Sequence, residues 1–295
     1  MANINLVCIA PRQMDPASLG GLYDLERFEK KYLAQGDSWF SIGHMPPWAT
    51  TNVLQQMVLS RSAVAVNCAH PGMELSHMAD TSTEPAFLNL LNGSGNPTLA
   101  WKWDAILMSG GGNDLIDAAQ ANPQAALDSR LLLRADEWTA SGSAEGYVSQ
   151  LGWKTFSDHL DLVLFNLLEE RDRNVNLGVP LLLHTYDYVT VRNAPAGTGL
   201  GPWLYKAMND LYRIPATDWD ALSDVLIGML RTLMKSLGEK YAARNVIVVD
   251  TVGAISRADP GTSGTSGDWE NEIHPTPHGY SLLAQAWRGP MDALA

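Results

Sequence analysis

The stretch Asn245-Val246-Ile247-Val248-Val249-Asp250 is apolar along its whole interior, with no polar residue at alternate positions. A strand with one wet face would alternate. A run like this suits a strand covered on both faces, as in a parallel sheet between layers of helix. Comparable runs stand at Lys31 to Gln35, Ala63 to Asn67, Asp104 to Met108 and Pro180 to His184. Helical periods lie between them. Leu222, Leu226, Met229, Leu230, Leu233 and Leu237 follow a three-and-four spacing, and Phe156, Leu160, Val163, Leu164 and Leu167 make a second apolar stripe. Val53, Leu54, Met57 and Val58 give a short third one, and Thr276 with Pro277 has the cap and first-turn chemistry that opens a last helix. Strands alternating with helices predict a three-layer α/β domain.

The chain has 295 residues, 46% of them hydrophobic and 18% charged, which is enough apolar material at this length for a large core. Its formal charge of −12 and lack of a Lys/Arg cluster argue against a nucleic-acid surface, which must neutralise phosphates. No apolar run approaches the roughly 18 residues that a membrane helix needs, so no integral membrane segment is expected. The start, Met-Ala-Asn-Ile-Asn-Leu-Val-Cys, lacks the basic region and long apolar stretch of a signal peptide. Cys8 and Cys68 are too few for a disulfide framework or a four-cysteine zinc site. The expectation is a cytoplasmic protein with reduced thiols, export without a cleaved signal being the alternative. No metal-ligand spacing such as His-Glu-x-x-His occurs, and neither metal nor cofactor is expected.

The reading is one domain over residues 1–295 with two insertions, near 117–146 and 186–204. The first is mixed in character and interrupted by Ala-Ser-Gly-Ser-Ala; the second is rich in Gly and Pro. Loops of this length in a compact domain usually serve as functional covers or are mobile segments.

Ligands of a doubly wound sheet gather at the carboxyl ends of its strands. Gly36-Asp37-Ser38 follow the first run, Cys68-Ala69-His70-Pro71-Gly72 the second, and Ser109-Gly110-Gly111-Gly112-Asn113-Asp114 the third; Asp268 to Pro275 lie beyond the fifth. In order and approximate spacing, Gly36-Asp37-Ser38, Gly72, Gly111-Gly112-Asn113-Asp114 and His274-Pro275 resemble the four blocks of the SGNH (GDSL) hydrolase family. Each block alone is weak; the four together, spread across nearly the whole chain, are specific. The resemblance implies a flavodoxin-like fold with a five-stranded parallel sheet of order 2-1-3-4-5 and helices on both faces. It also implies Ser38 as nucleophile, His274 as general base, and an oxyanion hole made by the Ser38 and Gly72 N–H groups and the Asn113 amide.

The chemistry suits those residue types. A serine hydroxyl needs a base to take its proton, and imidazole titrates near neutrality. Backbone N–H groups and an amide can meet the charge that develops on the carbonyl oxygen. No Gly-x-Ser-x-Gly elbow is present, which argues against an α/β-hydrolase. One block departs from the family pattern: the position three residues before the histidine, usually aspartate, is Asn271. Asp268 is the expected replacement, with Glu270, Glu272 and the Asn271 backbone carbonyl as alternatives. His44, His70 and His278 would lie near the site, as supporting or surface histidines rather than ligands; Trp39, Trp48, Trp203 and Trp269 would lie there too, more in keeping with a buried core than with a ligand platform.

The expected activity is hydrolysis of a carboxylic ester through an acyl-enzyme on Ser38, with lipid, short acyl ester and acetylated sugar all open as substrates. Two other readings stand beside it. A non-catalytic ligand-binding domain on the same fold would fit the departure at Asn271. An exported lipase-type effector would use residues 117–146 as an interfacial lid. Oligomeric state is not legible.

Overall fold

The computed structural model describes residues 3–14, 24–41, 51–78, 80, 82–94, 99–139 and 143–294. The strands are β1 (Ile4–Asn5), β2 (Val7–Ile9), β3 (Lys30–Gly36), β4 (Val58–Leu59), β5 (Ala63–Asn67), β6 (Ala105–Ser109), β7 (Leu181–His184) and β8 (Val246–Val249). The α-helices among the described residues are α1 (Ser38–Ser41), α2 (Val53–Gln56), α3 (Leu75–Met78), α4 (Pro85–Asn92), α5 (Gly112–Ala119), α6 (Gln150–Asp172), α7 (Trp219–Lys240) and α8 (Pro277–Asp292).

The main sheet is parallel throughout, in the order β2-β5-β3-β6-β7-β8. Its last five members reproduce the expected 2-1-3-4-5 order, because β3 is the first of the five apolar runs and β5 the second. The sheet has six strands rather than five. The sixth, Val7–Ile9, pairs with β5 at the edge and spans three residues. An edge strand that short carries too little pattern to read, and shortness is itself one way in which sheet edges avoid further pairing.

The central strands are buried on both faces: every residue of β6 and β7 is buried. Helix α8 packs on α2 on one side, and α6 packs on α3 and α4 on the other. The stripe read over Val53 to Val58 is helical only to Gln56; Met57 turns extended, and Val58–Leu59 pair antiparallel with β1. Helix α8 starts as expected, with the Thr276 hydroxyl accepting from Gly279 N at 3.1 Å and Pro277 in the first turn. No helix among the described residues is long and apolar enough to cross a membrane.

The described residues of both segments read as insertions lie largely against the body of the protein. Asp117 to Ala119 belong to α5, and Leu131, Leu132 and Leu133 further on are buried. Near them a buried Arg130 clasps Glu137 through two bonds of 2.6 and 2.7 Å. In the second insertion Val189, Val191, Arg192 and Ala194 are buried.

Candidate active site

Strand β3 delivers Ser38 to the carboxyl edge of the sheet. Asp37 N donates to Ser109 O at 3.0 Å, so the chain stays paired with β6 until the residue before Ser38, where α1 begins. Gly36 is necessary to this approach: a Cβ there would lie 2.7 Å from Ser109 O and 2.8 Å from Ser109 Cβ. Ser38 and His274 come from 236 positions apart, yet His274 Nε2 is 2.8 Å from Ser38 Oγ. Both are buried, at 6% and 7% exposure, so little water competes for this contact.

The group at the other ring nitrogen is the Asn271 side chain. Asn271 Oδ1 lies 3.1 Å from His274 Nδ1, and it accepts from Ile273 N at 3.1 Å and His274 N at 3.0 Å. Backbone N–H groups can only donate, so the atom they meet is the amide oxygen and the amide cannot flip without losing both bonds. An acceptor at Nδ1 places the proton on Nδ1. Nε2 then presents its lone pair to the serine hydroxyl, which is the tautomer a general base requires.

Asp268, expected in this role, is placed elsewhere. Its Oδ2 accepts from Ser256 N at 2.7 Å, and its Oδ1 is 4.0 Å from Nε2 of the exposed His278. The physical reason is local. An Asx side chain readily caps the N–H groups two and three residues on, which brings Asn271 beneath the ring of His274. Asp268 sits at the far end of the same loop, where its backbone braces Ser256 and Thr276. Glu270 joins this loop through its backbone, with Glu270 N donating to His274 O at 2.9 Å.

Glu272 points away from the histidine into the second insertion. Its carboxylate accepts from Tyr205 N at 2.7 Å, from Arg192 N at 3.4 Å and from Trp203 N. Burial pushes its carboxyl up to about 7 against the lowering effect of those bonds. The Arg192 guanidinium completes the clamp by donating to Asn271 O at 2.5 Å. The insertion is thereby stapled to the loop of His274, and Trp203 meets the imidazole edge-on with ring centroids 5.3 Å apart.

Asn113 opens onto the same cavity as Ser38, and its Nδ2 donates to Met73 O at 3.1 Å. That bond ties the third block to the turn holding Gly72, an exposed residue with a φ of 76° just beyond β5. Asp114 braces the same region from below, accepting from Leu75 N at 2.9 Å, and burial raises its pKa. His70 is exposed, 3.9 Å from Glu84. His44 and Trp48 lie outside the described residues. Trp39 and Trp269 are buried and pack on each other, with centroids 6.1 Å apart.

The cavity beside Ser38 is narrow, about 40 Å³, and mostly apolar, walled by Leu115, Ile116, Val189, Leu204, Ile227 and Leu230. No group of three or more His, Cys, Asp or Glu among the described residues could hold a metal ion. Sequence reasoning missed the side-chain role of Asn271 and the buried residues His184 and Tyr186, and it marked Ser109 only as a residue at a strand end, without a role. His184 closes the fourth apolar run, so inspecting the end of that run was the available signal.

No family profile matches the chain, and no curated protein does. Solved structures resemble it in fold. A lipase from a goat rumen metagenome superposes with a TM-score of 0.50 at 14% identity, over 90% of this chain and 98% of the other. A protein of Parabacteroides merdae described as a GDSL-like lipase gives 0.45 at 13% identity, covering 90% and 97%. An acetylxylan esterase from Geobacillus stearothermophilus gives 0.43 at 15%, covering 88% and 92%. At these identities the likeness is one of fold: the α/β architecture with a central parallel sheet is shared with the goat-rumen lipase.

Proposed function

We propose that the chain is a serine hydrolase of carboxylic esters, with Ser38 as nucleophile and His274 as general base. The observation that carries this reading is the 2.8 Å contact of Ser38 Oγ with His274 Nε2, in a ring whose tautomer Asn271 Oδ1 fixes. As Oγ attacks the acyl carbon, its proton passes to Nε2 and the carbonyl oxygen gains the negative charge. The N–H groups of Ser38 and Gly72 and the Asn113 amide serve as donors to that oxygen. When the intermediate collapses, the alcohol leaves with the proton from Nε2. Water, activated by the same nitrogen, then releases the acid and restores the serine.

In this mechanism Asn271 is a positioning residue and Asp268 a structural one. A neutral amide orients the ring but supplies no charge to the imidazolium, so the base is weaker than one backed by a carboxylate. The same arrangement of base and amide serves in Cys-His-Asn hydrolases. The departure at position 271 therefore gives no reason to prefer a binding-only reading. The small apolar cavity favours a short acyl group over a long chain.

The test is an ester panel of graded acyl length run on the native chain and on Ser38→Ala. The variant is expected to lose turnover and fluorophosphonate labelling while keeping its melting temperature. Undiminished hydrolysis by Ser38→Ala would overturn the assignment.

A further inference from the structure

Asp37, the residue before Ser38, is buried with both carboxylate oxygens engaged. Oδ1 accepts from Trp39 N at 3.0 Å and from Ser109 Oγ at 2.7 Å, and Oδ2 accepts from Tyr186 Oη at 2.5 Å. Ser109, having given its proton to Asp37, can only accept from its next neighbour, His184 Nε2, at 2.8 Å. His184 Nδ1 must then accept, and it does so from Tyr186 N at 3.2 Å. One assignment of protons satisfies every member. Burial keeps the His184 ring neutral, with its pKa pushed down to about 3.

The donors come from separate elements: Trp39 from α1, Ser109 from the end of β6, and Tyr186, with His184 behind it, from the end of β7. Trp39 extends the network to the loop of the base, its Nε1 donating to Ile273 O at 3.1 Å and its ring stacking on His184 at 5.4 Å. The arrangement is costly. Burial raises the Asp37 carboxyl to about 6. Tyr186 holds a φ of 60°, a left-handed position that strains a residue with a side chain. Gly112 must lack a side chain, because a Cβ there would lie 2.8 Å from the Tyr186 ring. Costs of this kind gather where geometry serves function. An apolar filling would stabilise the same space at least as well.

We propose that Ser109, His184 and Tyr186 are positioning residues that hold the Asp37 carboxylate, and through it the Asp37–Ser38 peptide, in register with His274. This rests on Ser38 being the nucleophile. Ser109 is fully buried, so the Asp37–Ser109–His184 chain is not a second hydrolytic triad despite its composition.

The experiment compares kcat, KM, labelling rate and melting temperature in Tyr186→Phe, His184→Leu and His184→Gln against the native chain, with p-nitrophenyl acetate and a fluorophosphonate as probes. Losing the Tyr186 bond to the buried carboxylate, or the His184 bond that orients the Ser109 hydroxyl toward it, is expected to lower kcat and labelling rate by about ten- to a hundredfold, with KM within about twofold. Gln, which keeps a donor for Ser109, is expected to recover most of what Leu loses. If Tyr186→Phe and His184→Leu keep kcat within about twofold of native, the proposal is overturned. It is equally overturned if the losses follow melting temperature and Gln rescues nothing. Should Tyr186→Phe fail to fold, the His184 pair decides. If the native chain shows no Ser38-dependent hydrolysis, the esterase reading itself fails and this proposal falls with it; native activity with indifferent variants sinks the positioning role alone.

Discussion

Replacing Asn271 with aspartate changes one NH2 group to an oxygen and leaves the volume of the side chain nearly the same. The oxygen now facing His274 Nδ1 at 3.1 Å already accepts from two backbone N–H groups, so a carboxylate oxygen can take its place without rearrangement. The change is therefore electrostatic. A full charge about 4 Å from the centre of an imidazolium gains about 4 kcal/mol at an effective dielectric near 20, and neighbouring opposite charges shift such groups by about 1–3 pKa units. Two neighbours modify this. The Arg192 guanidinium, bonded to Asn271 O, favours the new anion, whereas the buried Glu272 carboxyl beside it opposes a second one. The expected rise in the His274 pKa is thus about 1–2 units. The assay is the pH dependence of kcat/KM on p-nitrophenyl acetate. The acid limb is expected to move to higher pH by that amount, and the rate on the plateau to rise by up to about tenfold as the base strengthens. Asn271→Ala, which removes the acceptor and frees the tautomer, is expected to lose about a hundredfold or more, and Asp268→Asn much less. An acid limb that stays in place in Asn271→Asp would refute the reasoning. If Asp268→Asn proved more damaging than Asn271→Ala, the orienting role would pass to Asp268.

Leu230 is fully buried in the wall of the cavity; if Ser38 is the nucleophile and this cavity takes the acyl group, Leu230→Ala should raise the butyrate-to-acetate ratio of kcat/KM about tenfold, since about two methylenes gain a place at about 0.8 kcal/mol each. An unchanged ratio in a folded variant would show that another wall sets the length. Stability should fall as pH rises from about 4.5 to 7, because the raised carboxyls of Asp37, near 6, and Glu272, near 7, bind protons in the folded chain that the unfolded chain has released. Each contributes at most about 3 kcal/mol to that decline. Below that window the sign reverses, since Arg partners hold Asp172 and Asp250 down to about 2 and their contribution is lost as they protonate. Melting temperature against pH should peak between the two regimes, and a monotonic rise to pH 8 would contradict these assignments.

The strand runs were legible because burial on both faces removes alternation, and the main sheet kept their order. Val7–Ile9 escaped because three residues at an edge carry no period. Met57 and Val58 fit a helical stripe, but the antiparallel partner that claims Val58 lies at Ile4–Asn5, about fifty positions away. At the site, Ser38 and His274 were legible as types: a hydroxyl and an imidazole at strand ends. Asp268 was favoured because it carries charge, while the deciding property was an Asx turn that only backbone geometry reveals. Ser109, His184 and Tyr186 were hidden for a related reason. Ser109 directly follows the third run and His184 closes the fourth, and they meet through side-by-side strand ends rather than through sequence spacing.

The staple at Glu272 has an evolutionary corollary. Its carboxylate grips the main chain at Arg192, Trp203 and Tyr205, and main chain is the one feature that substitution leaves untouched, proline apart. The exposed turn around Gly197 to Leu200 can therefore drift in composition, or exchange its tip for another, without releasing the segment from the histidine loop. Selection could act there freely, provided a glutamate remains at position 272 to keep hold.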